Sequence, residues 1–494
     1  GGHMIYSAID IGANAIEIKI VSFSGKKPEL IDCISTPIRI GKEVYTSEYI
    51  SSGSVSAMIS ILLSYQSILR DYHVEDYKVI ATGALRNAKN ASQVIEIMRM
   101  KTGFEIEILE SPVENFITYK ALKNKLKNYE AFRQGAIIVD THSGSTDITV
   151  YSKGRLISND TVKMGSQIAV PYIDKVISMI VDYPKVVGDY LSTLTRRAQK
   201  KIVNRNISYL LLLGTAASEL SDLFFDGREE IPAEEFLEIH RRVMAKDYEL
   251  EKKAGDRWQR LLFIVVLSGI FLNATDASSI LMPRITLSDG VLADFVERGE
   301  MRSEARDEDI FDAATEIARR FKCKIKHIRH VESHVRNLFR ALEHTLDMNE
   351  DDFFTLRLAV HMVEIGKSLR RSGYEKASFD MLKHLDIFGV KRAVLDEIGY
   401  IALEIENIFS SDVNKIVHTV HSRKIAALIA VGLALDIDNL QQIRIEYIHV
   451  EEDCVSITIS GQEFKSSMIA MEPVKEAFLD CFGYELRIVE ELCC

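Results

Sequence analysis

Apolar and polar residues alternate through Ile5–Phe23 around a glycine turn, which predicts a β-hairpin. A second stretch of strand character covers Glu29–Ile40. Helical spacing follows over Val55–Tyr72, and Lys78–Thr82 reads as a buried strand. A helix fits Ser92–Lys101, closed by Gly103 as its C-terminal cap, then a short strand over Phe104–Leu109 and a helix over Val113–Leu126. Together these elements predict one α/β domain, residues 4–128.

The pattern then restarts. Ala136–Val139 is wholly apolar and ends at Asp140; a small-residue turn, Thr141–Thr146, leads into a returning strand, Asp147–Tyr151. Each half therefore opens strand, aspartate, small-residue turn, strand, the trace a duplicated domain leaves. Tyr209–Leu213 is a third apolar strand, running into Gly214-Thr215-Ala216-Ala217-Ser218 ahead of a helix. The apolar run Leu261–Leu272, broken by Ser268 and Gly269, is too short to span a bilayer and reads as a buried helix. This second α/β domain is expected over 129–300. Helical periodicity then dominates: Asp307–Leu346, Asp352–Arg370, Ser378–His384, Lys391–Phe409 and Val417–Leu435. A helical domain over 301–410 and a C-terminal helical and α/β domain over 411–494 follow. Strand-like Ile443–Ser460 and Glu485–Val489 flank an amphipathic helix, Glu472–Cys481, in the latter.

Composition refines this picture. A chain of 494 residues exceeds a single core and suits about three or four domains. Gly1-Gly2-His3-Met4 reads as a cloning scar, and Ile5–Ile9 runs into Asp10 without the basic opening of a secretory signal. The six cysteines are scattered, with no metal-ligand spacing, so reduced thiols and a cytoplasmic location are expected. Cys493-Cys494 is a further candidate for lipidation or oxidation. A net charge of −11 gives no long-range attraction for nucleic acid, so any anion site must be local. The basic run Arg319–His330 reads as a solvated helix or linker face, with an anion-guiding surface for a long polyanion as the alternative.

Two segments carry chemistry. In Asp10-Ile11-Gly12-Ala13-Asn14 and in Asp140–Thr146, a strand ends in a carboxylate and turns through glycine. Glycine lets backbone amides cup phosphate oxygens, and the carboxylate can hold a hydrated Mg²⁺ that bridges them. A third turn, Gly214-Thr215, adds to the set.

These residues resemble the Ppx/GppA family of exopolyphosphatases and guanosine-pentaphosphate phosphohydrolases, within the actin-like ATPase superfamily. The resemblance rests on Ala8–Ile16, Arg39-Ile40-Gly41, Ala81–Asn90 with its Ala-Thr-x-x-Leu-Arg pattern, Thr102–Leu109, and Val139–Asp147. It implies two actin-like (RNase H-like) α/β domains, then an all-helical HD-like domain and a small α/β C-terminal domain. The implied activity is release of terminal phosphate from inorganic polyphosphate or pppGpp, with Mg²⁺ as cofactor, by a homodimer that needs neither nucleic acid nor membrane. Glu114 matches the water-activating glutamate, with Asp140 the second catalytic group and Asp10 and Asp140 the Mg²⁺ ligands. Gly12, Asn14, Arg86, His142, Ser143, Gly144, Ser145, Thr146, Gly214 and Thr215 would bind phosphate.

The sequence also departs from the family. Ala13 and Ala15 stand where the first loop carries Ser or Thr, and Glu17 stands for an arginine. In the second loop His142 and Ser143 replace glycines and Asp147 replaces glutamate; Ala216 and Ala217 narrow the third turn. In the helical part, His334 matches the first HD ligand, but the remaining ligand positions fall on Val363-Glu364, Glu375, Ala377 and near Leu433. No metal centre is expected there, and His361 and His384 are expected at the helix surface or satisfied in the core. A relative that binds nucleotide or polyphosphate with little turnover is the alternative reading, and a metabolite kinase on the same fold a third.

Overall fold

The computed structural model describes residues 4–24, 28–298, 308–410, 419–462 and 464–491. The chain forms two compact units, Gly1–Asp309 and Ile310–Cys494. Residues 299–307, which contain the boundary expected at 300/301, and the terminal pair Cys493-Cys494 lie outside the described residues.

The first unit is built on two sheets. One contains β1 (Met4–Ile11), β2 (Ala15–Phe23), β3 (Pro28–Pro37), β4 (Asp76–Ala81) and β5 (Ile106–Ile108), in the order β3-β2-β1-β4-β5. The other contains β6 (Gly135–Thr141), β7 (Thr146–Ser152), β8 (Arg155–Val162), β9 (Tyr209–Leu213), β10 (Glu230–Pro232) and β11 (Ser279–Leu281), in the order β10-β11-β9-β6-β7-β8. From its far edge, β8-β7-β6-β9-β11 repeats the first sheet strand for strand. An antiparallel meander of three strands is followed by two strands parallel to its first, and β10 is added antiparallel at the edge.

The register repeats as well. Asp10 pairs across the hairpin with Glu17, and Asp140 with Asp147. Each turn closes with the same bond, Gly12 N–H to Ala15 O at 2.9 Å and His142 N–H to Ser145 O at 2.9 Å. In each half the helix after the meander braces the turn from behind. Ile38 N and Gly41 N donate to Asn14 O and Ala13 O, and Ser166 N and Gln167 N donate to His142 O and Ser143 O, all at 2.9–3.0 Å. Amides at a helix start have no intrahelical acceptor, so turn carbonyls supply one. The approach is close enough that a β-carbon at Gly41 would run into Ala13, and one at Gly165 into the His142 carbonyl. The Arg39-Ile40-Gly41 element is thereby explained as a brace.

Helix Ser52–Asp71 lays a Val55, Met58, Leu62, Tyr65, Leu69 stripe into the core of the first sheet. Among the described residues it is the one helix long and apolar enough to cross a membrane by length and composition, with 28% of that window buried. The Leu261–Leu272 run lies in helix Trp258–Asn273, buried almost all round in the core of the second sheet.

In the second unit the expected helix Asp307–Leu346 is two helices, Glu308–Arg320 and Ile325–Leu342. Lys322 takes a left-handed φ of 60° between them, and Cys323 N–H caps Ala318 O. The basic run straddles this break with Arg319, Arg320, Lys322, Lys324, Lys326 and Arg329 exposed. The span expected as Asp352–Arg370 stops at Met362 and continues as a 3-10 turn, Ile365–Ser368. Gly366 there presses on the Tyr374 carbonyl, and its N–H is taken by Ser378 Oγ. The Ile443–Ser460 segment is a hairpin, β12 (Arg444–Val450) and β13 (Cys454–Ser460). Helix Phe464–Phe482 crosses to β14 (Glu485–Glu490), parallel to β13.

Gly214 has a φ of +105° and lies against the Thr141 carbonyl, where no β-carbon fits. Gly214→Ala is expected to lower stability by about 2–4 kcal/mol, read as a shifted urea midpoint.

Candidate active site

Helix Ser111–Lys125 carries the link between the two halves of the first unit. Pro112 at its start fixes the first turn, and Glu114 lies in that turn, where the helix dipole favours a carboxylate. Glu114 Oε2 accepts from Arg86 Nη1 at 2.9 Å, and the same nitrogen donates to Leu109 O at 2.5 Å. Glu114 Oε1 faces His142 Nδ1 at 3.5 Å. On the far side of that ring, Nε2 stands 3.4 Å from Asp140 Oδ2 and 3.2 Å from Asp147 Oδ2. One helix turn further on, Tyr119 shares a 2.7 Å hydrogen bond with Thr149 Oγ1, which also accepts from Asn159. The Glu114 helix is thus fixed to both sheets.

The carboxylates are crowded and shielded. Asp140 is 3% exposed, Asp147 0% and Glu114 8%. Asp10 Oδ1, Asp140 Oδ2, Asp147 Oδ2 and Glu17 Oε1 have no hydrogen-bond donor. Burial, and then the charges of Glu114 and Glu17, push the Asp10 carboxyl up to about 7, against a small opposing pull from Lys19. For His142, burial opposes protonation, but the Asp140 and Glu114 charges prevail and hold the imidazole well above its usual value. Glu17 lies 3.8 Å from Lys19 Nζ, which is bound more closely, at 2.8 Å, to Asp289. Thr161 donates to Asp147 Oδ1.

Tyr45 closes the other side of the second turn. Its hydroxyl and ring edge occupy the space a β-carbon at Gly144 would need, and the hydroxyl bonds the Asn87 side chain. Burial pushes this phenol up.

Residues 20–274 match the Ppx/GppA phosphatase family, just over half of the chain. The chain belongs to the Ppx/GppA phosphatase family. A guanosine-5'-triphosphate,3'-diphosphate pyrophosphatase of Photobacterium profundum is 20% identical over 408 residues, 79% of this chain and 78% of that protein. Exopolyphosphatase 1 of Mycobacterium tuberculosis is 22% identical over 148 residues, 30% of this chain and 42% of that relative's length. Among solved structures, the Aquifex aeolicus Ppx/GppA family member aligns with a TM-score of 0.51 at 17% identity, over 60% of this chain and 99% of that one. An exopolyphosphatase from Cytophaga hutchinsonii aligns with a TM-score of 0.50 at 15% identity, over 60% and 98%. These likenesses are of fold, and they agree with the duplicated, actin-like sheets of the first unit.

Within that fold, Asp10, Arg86, Glu114, Asp140 and His142 converge, joined by Asp147, which the sequence reading noted only as a substitution. Its spacing from Asp140 equals that of Glu17 from Asp10, the signal that could have found it. Several of the groups expected to face phosphate already have partners within the chain. The Gly12 and His142 amides are spent inside their turns. The Thr146 hydroxyl, 1% exposed, donates to Met164 O at 2.7 Å. Gly214 serves the close packing on Thr141. Thr215 is exposed at its helix start, and Asn14 is exposed in the first turn. Ser143, Gly144 and Ser145 remain at the second turn, partly exposed. Ala216 and Ala217 are buried in the core of the second sheet, so they do not narrow a ligand site.

The Mg²⁺ expectation can be tested on the donor set. Unpartnered carboxylate oxygens are the hard donors that ion prefers. The His142 ring, however, already stands among Glu114, Asp140 and Asp147. Among the described residues no group of three His, Cys, Asp or Glu is placed to hold a metal ion. As the side chains stand, a resident Mg²⁺ on Asp140 does not fit, and Asp10 is left as a carboxyl that titrates near neutrality.

In the helical unit, Glu364, Glu375 and Leu433 line a cavity of about 220 Å³ with His327 and Asp436, not His334. His327 lies two helical turns before His334 on the same helix. His327 Nδ1 bonds Asp436 Oδ2 at 2.6 Å and Nε2 faces Glu364 at 3.1 Å. Burial opposes the charged ring, but these two carboxylates prevail and push it up to about 9. His334 is buried beside His330, and burial pushes it down to about 4. His361 is buried with Nδ1 on Arg357 O, and His384 is exposed.

Two measurements follow. Asp10 keeps its proton to about pH 7 when folded but only to its usual value of 3.8 when unfolded. Folding stability contributed by this group therefore declines between those values, and Asp10→Asn should gain on the parent chain as pH rises from about 4 to about 7 in urea titrations. Asp436→Asn, which strips a buried imidazolium of its closest partner, should destabilise the helical unit by about 3 kcal/mol in the same assay.

Proposed function

We propose that this chain releases the terminal phosphate of inorganic polyphosphate or of a guanosine polyphosphate such as pppGpp, taken as its Mg²⁺ complex, at the paired turns ending β1 and β6. Glu114 carries the reading. It is an electrostatic neighbour of Asp10 on one side and lies 3.5 Å from His142 on the other, with its second oxygen fixed by Arg86. A carboxylate held this way, between two phosphate-type turns, orients a water for in-line attack.

In that reaction the water oxygen bonds to the terminal phosphorus, the bridging P–O bond breaks, and Glu114 accepts the water proton. Arg86 keeps Glu114 aimed; turn amides such as those of Ala13 and Ser143 contact phosphate oxygens. Counter-ions carried on the substrate offset the surplus of carboxylates around the turns. Membership of the Ppx/GppA family and the names of its relatives support the reaction class. A cytoplasmic homodimer acting on a free polyanion, without nucleic acid or membrane, belongs to the same proposal.

A second reading is a binder with little turnover, favoured by the imidazole wedged among the carboxylates and by the buried, committed Thr146 hydroxyl. Phosphate release separates the two. With polyphosphate, pppGpp and ATP compared in Mg²⁺ buffer, Glu114→Ala should lower release by about 10²–10⁴-fold while calorimetry still registers binding. Undiminished release by that variant rules out the mechanism, and tight binding by the parent chain without any release selects the second reading.

A further inference from the structure

A residue of the first half stands over the second turn. Helix Ile40–Ser47 is tied to the first turn at Gly41, whose N–H donates to Ala13 O at 2.9 Å and whose bare α-carbon lies against Ala13. Tyr45 is four residues on, about one helical turn along the same face. Its neighbour Val44 is buried in the core of the first sheet, and the Tyr45 ring reaches across to the turn that follows β6. A β-carbon on Gly144 would lie 2.6 Å from the phenol oxygen and 3.2 Å from the ring carbons Cε1 and Cζ. The same oxygen is 4.0 Å from the β-carbon position of Gly83, the first residue of the short helix Gly83–Asn87 that carries Arg86. The hydroxyl therefore stands between the second turn and the helix whose Arg86 holds Glu114, and the charges of Arg86, His142 and Glu114 all act on it.

We propose that Tyr45 is a substrate-binding residue of this site, its hydroxyl donating a hydrogen bond to a phosphoryl oxygen held against the second turn.

A half-buried phenol normally gives its proton to an acceptor within the chain. Tyr45 keeps its own. Burial pushes the phenol up, and the Asn87 side chain opposes this, as an amide does by donating its N–H to the phenol oxygen. Among the described residues no carbonyl or carboxylate takes the O–H proton, which is left for a ligand. The two turns are also short of such donors. Ala13 and Ala15 bring no hydroxyl to the first, and the Thr146 hydroxyl of the second is spent on Met164 O. Gly144 is left bare for this phenol, since a side chain there would displace the hydroxyl from the turn.

This inference rests on the reading that a phosphate chain lies at the paired turns, and binding rather than turnover tests it. The full chain is titrated by calorimetry in Mg²⁺ buffer with a tripolyphosphate whose bridging oxygens are replaced by NH, so that it resists hydrolysis. Tyr45→Phe keeps the ring on Gly144 and removes only the donor. It should leave Tm unmoved and raise Kd about 10-fold or more. Tyr45→Ala, which removes the ring as well, should raise Kd at least as much. Unchanged affinity in Tyr45→Phe overturns the inference, and so does a loss of affinity that comes with a lowered Tm, because the hydroxyl would then serve the fold. Tighter binding by either variant overturns it too, by showing the ring to be a plug. Phosphate release is scored separately. A chain that releases none, yet binds the analogue more weakly as Tyr45→Phe, keeps this inference and loses the hydrolase reading; a chain that releases phosphate with the same Kd in both forms does the reverse.

Discussion

Four carboxylates are forced together where the first strands of two sheets end, and the first unit is arranged around the cost of keeping them there. Asp140, Asp147 and Glu114 are nearly shut off from water, and Asp10 is driven toward its neutral form. Buried like charges are tolerable only with counter-charge or protonation. Each supporting contact answers to that demand. Arg86 spans Glu114 and the Leu109 carbonyl, His142 stands among three acids, and Thr161 holds Asp147. Lys19 lies beside Glu17 while bound to Asp289.

The duplicated topology is what brings the acids to one place. In both halves the antiparallel meander ends its first strand on an aspartate, sets a carboxylate across from it, and receives the start of a helix behind its turn. Gly41 and Gly165 are the residues that let those helix starts come close. The halves then differ in one residue with large effect. Gly12 leaves its turn open, and the equivalent His142 sends a ring into the acids.

The helical unit solves a similar problem by the same means. His327 lies between Asp436 and Glu364, deep enough that the ring has its charge stabilised rather than suppressed. His334, on the same helix face, has its charge suppressed by burial and then by the neighbouring His330. Local sequence around these two histidines is alike; their neighbours in space decide opposite outcomes.

The sequence by itself determined the strand-and-helix order of both halves, the aspartates at the ends of the first strands, and Glu114 at a helix start. Each of these depends on periodicity, capping or short turn chemistry, which act over a few residues. It also showed that residue 142 had become histidine, but not what the histidine touches. That depended on Glu114 arriving from a helix of the first half and Asp147 from the returning strand of the second. Likewise Thr146 looked like a phosphate ligand until the chain beyond β8 brought the Met164 carbonyl within reach. Ala216 and Ala217 looked like a narrowed pocket until the sheet core closed over them. Charge state and exposure depend on what is within a few ångströms in space, and only the tertiary structure fixes that.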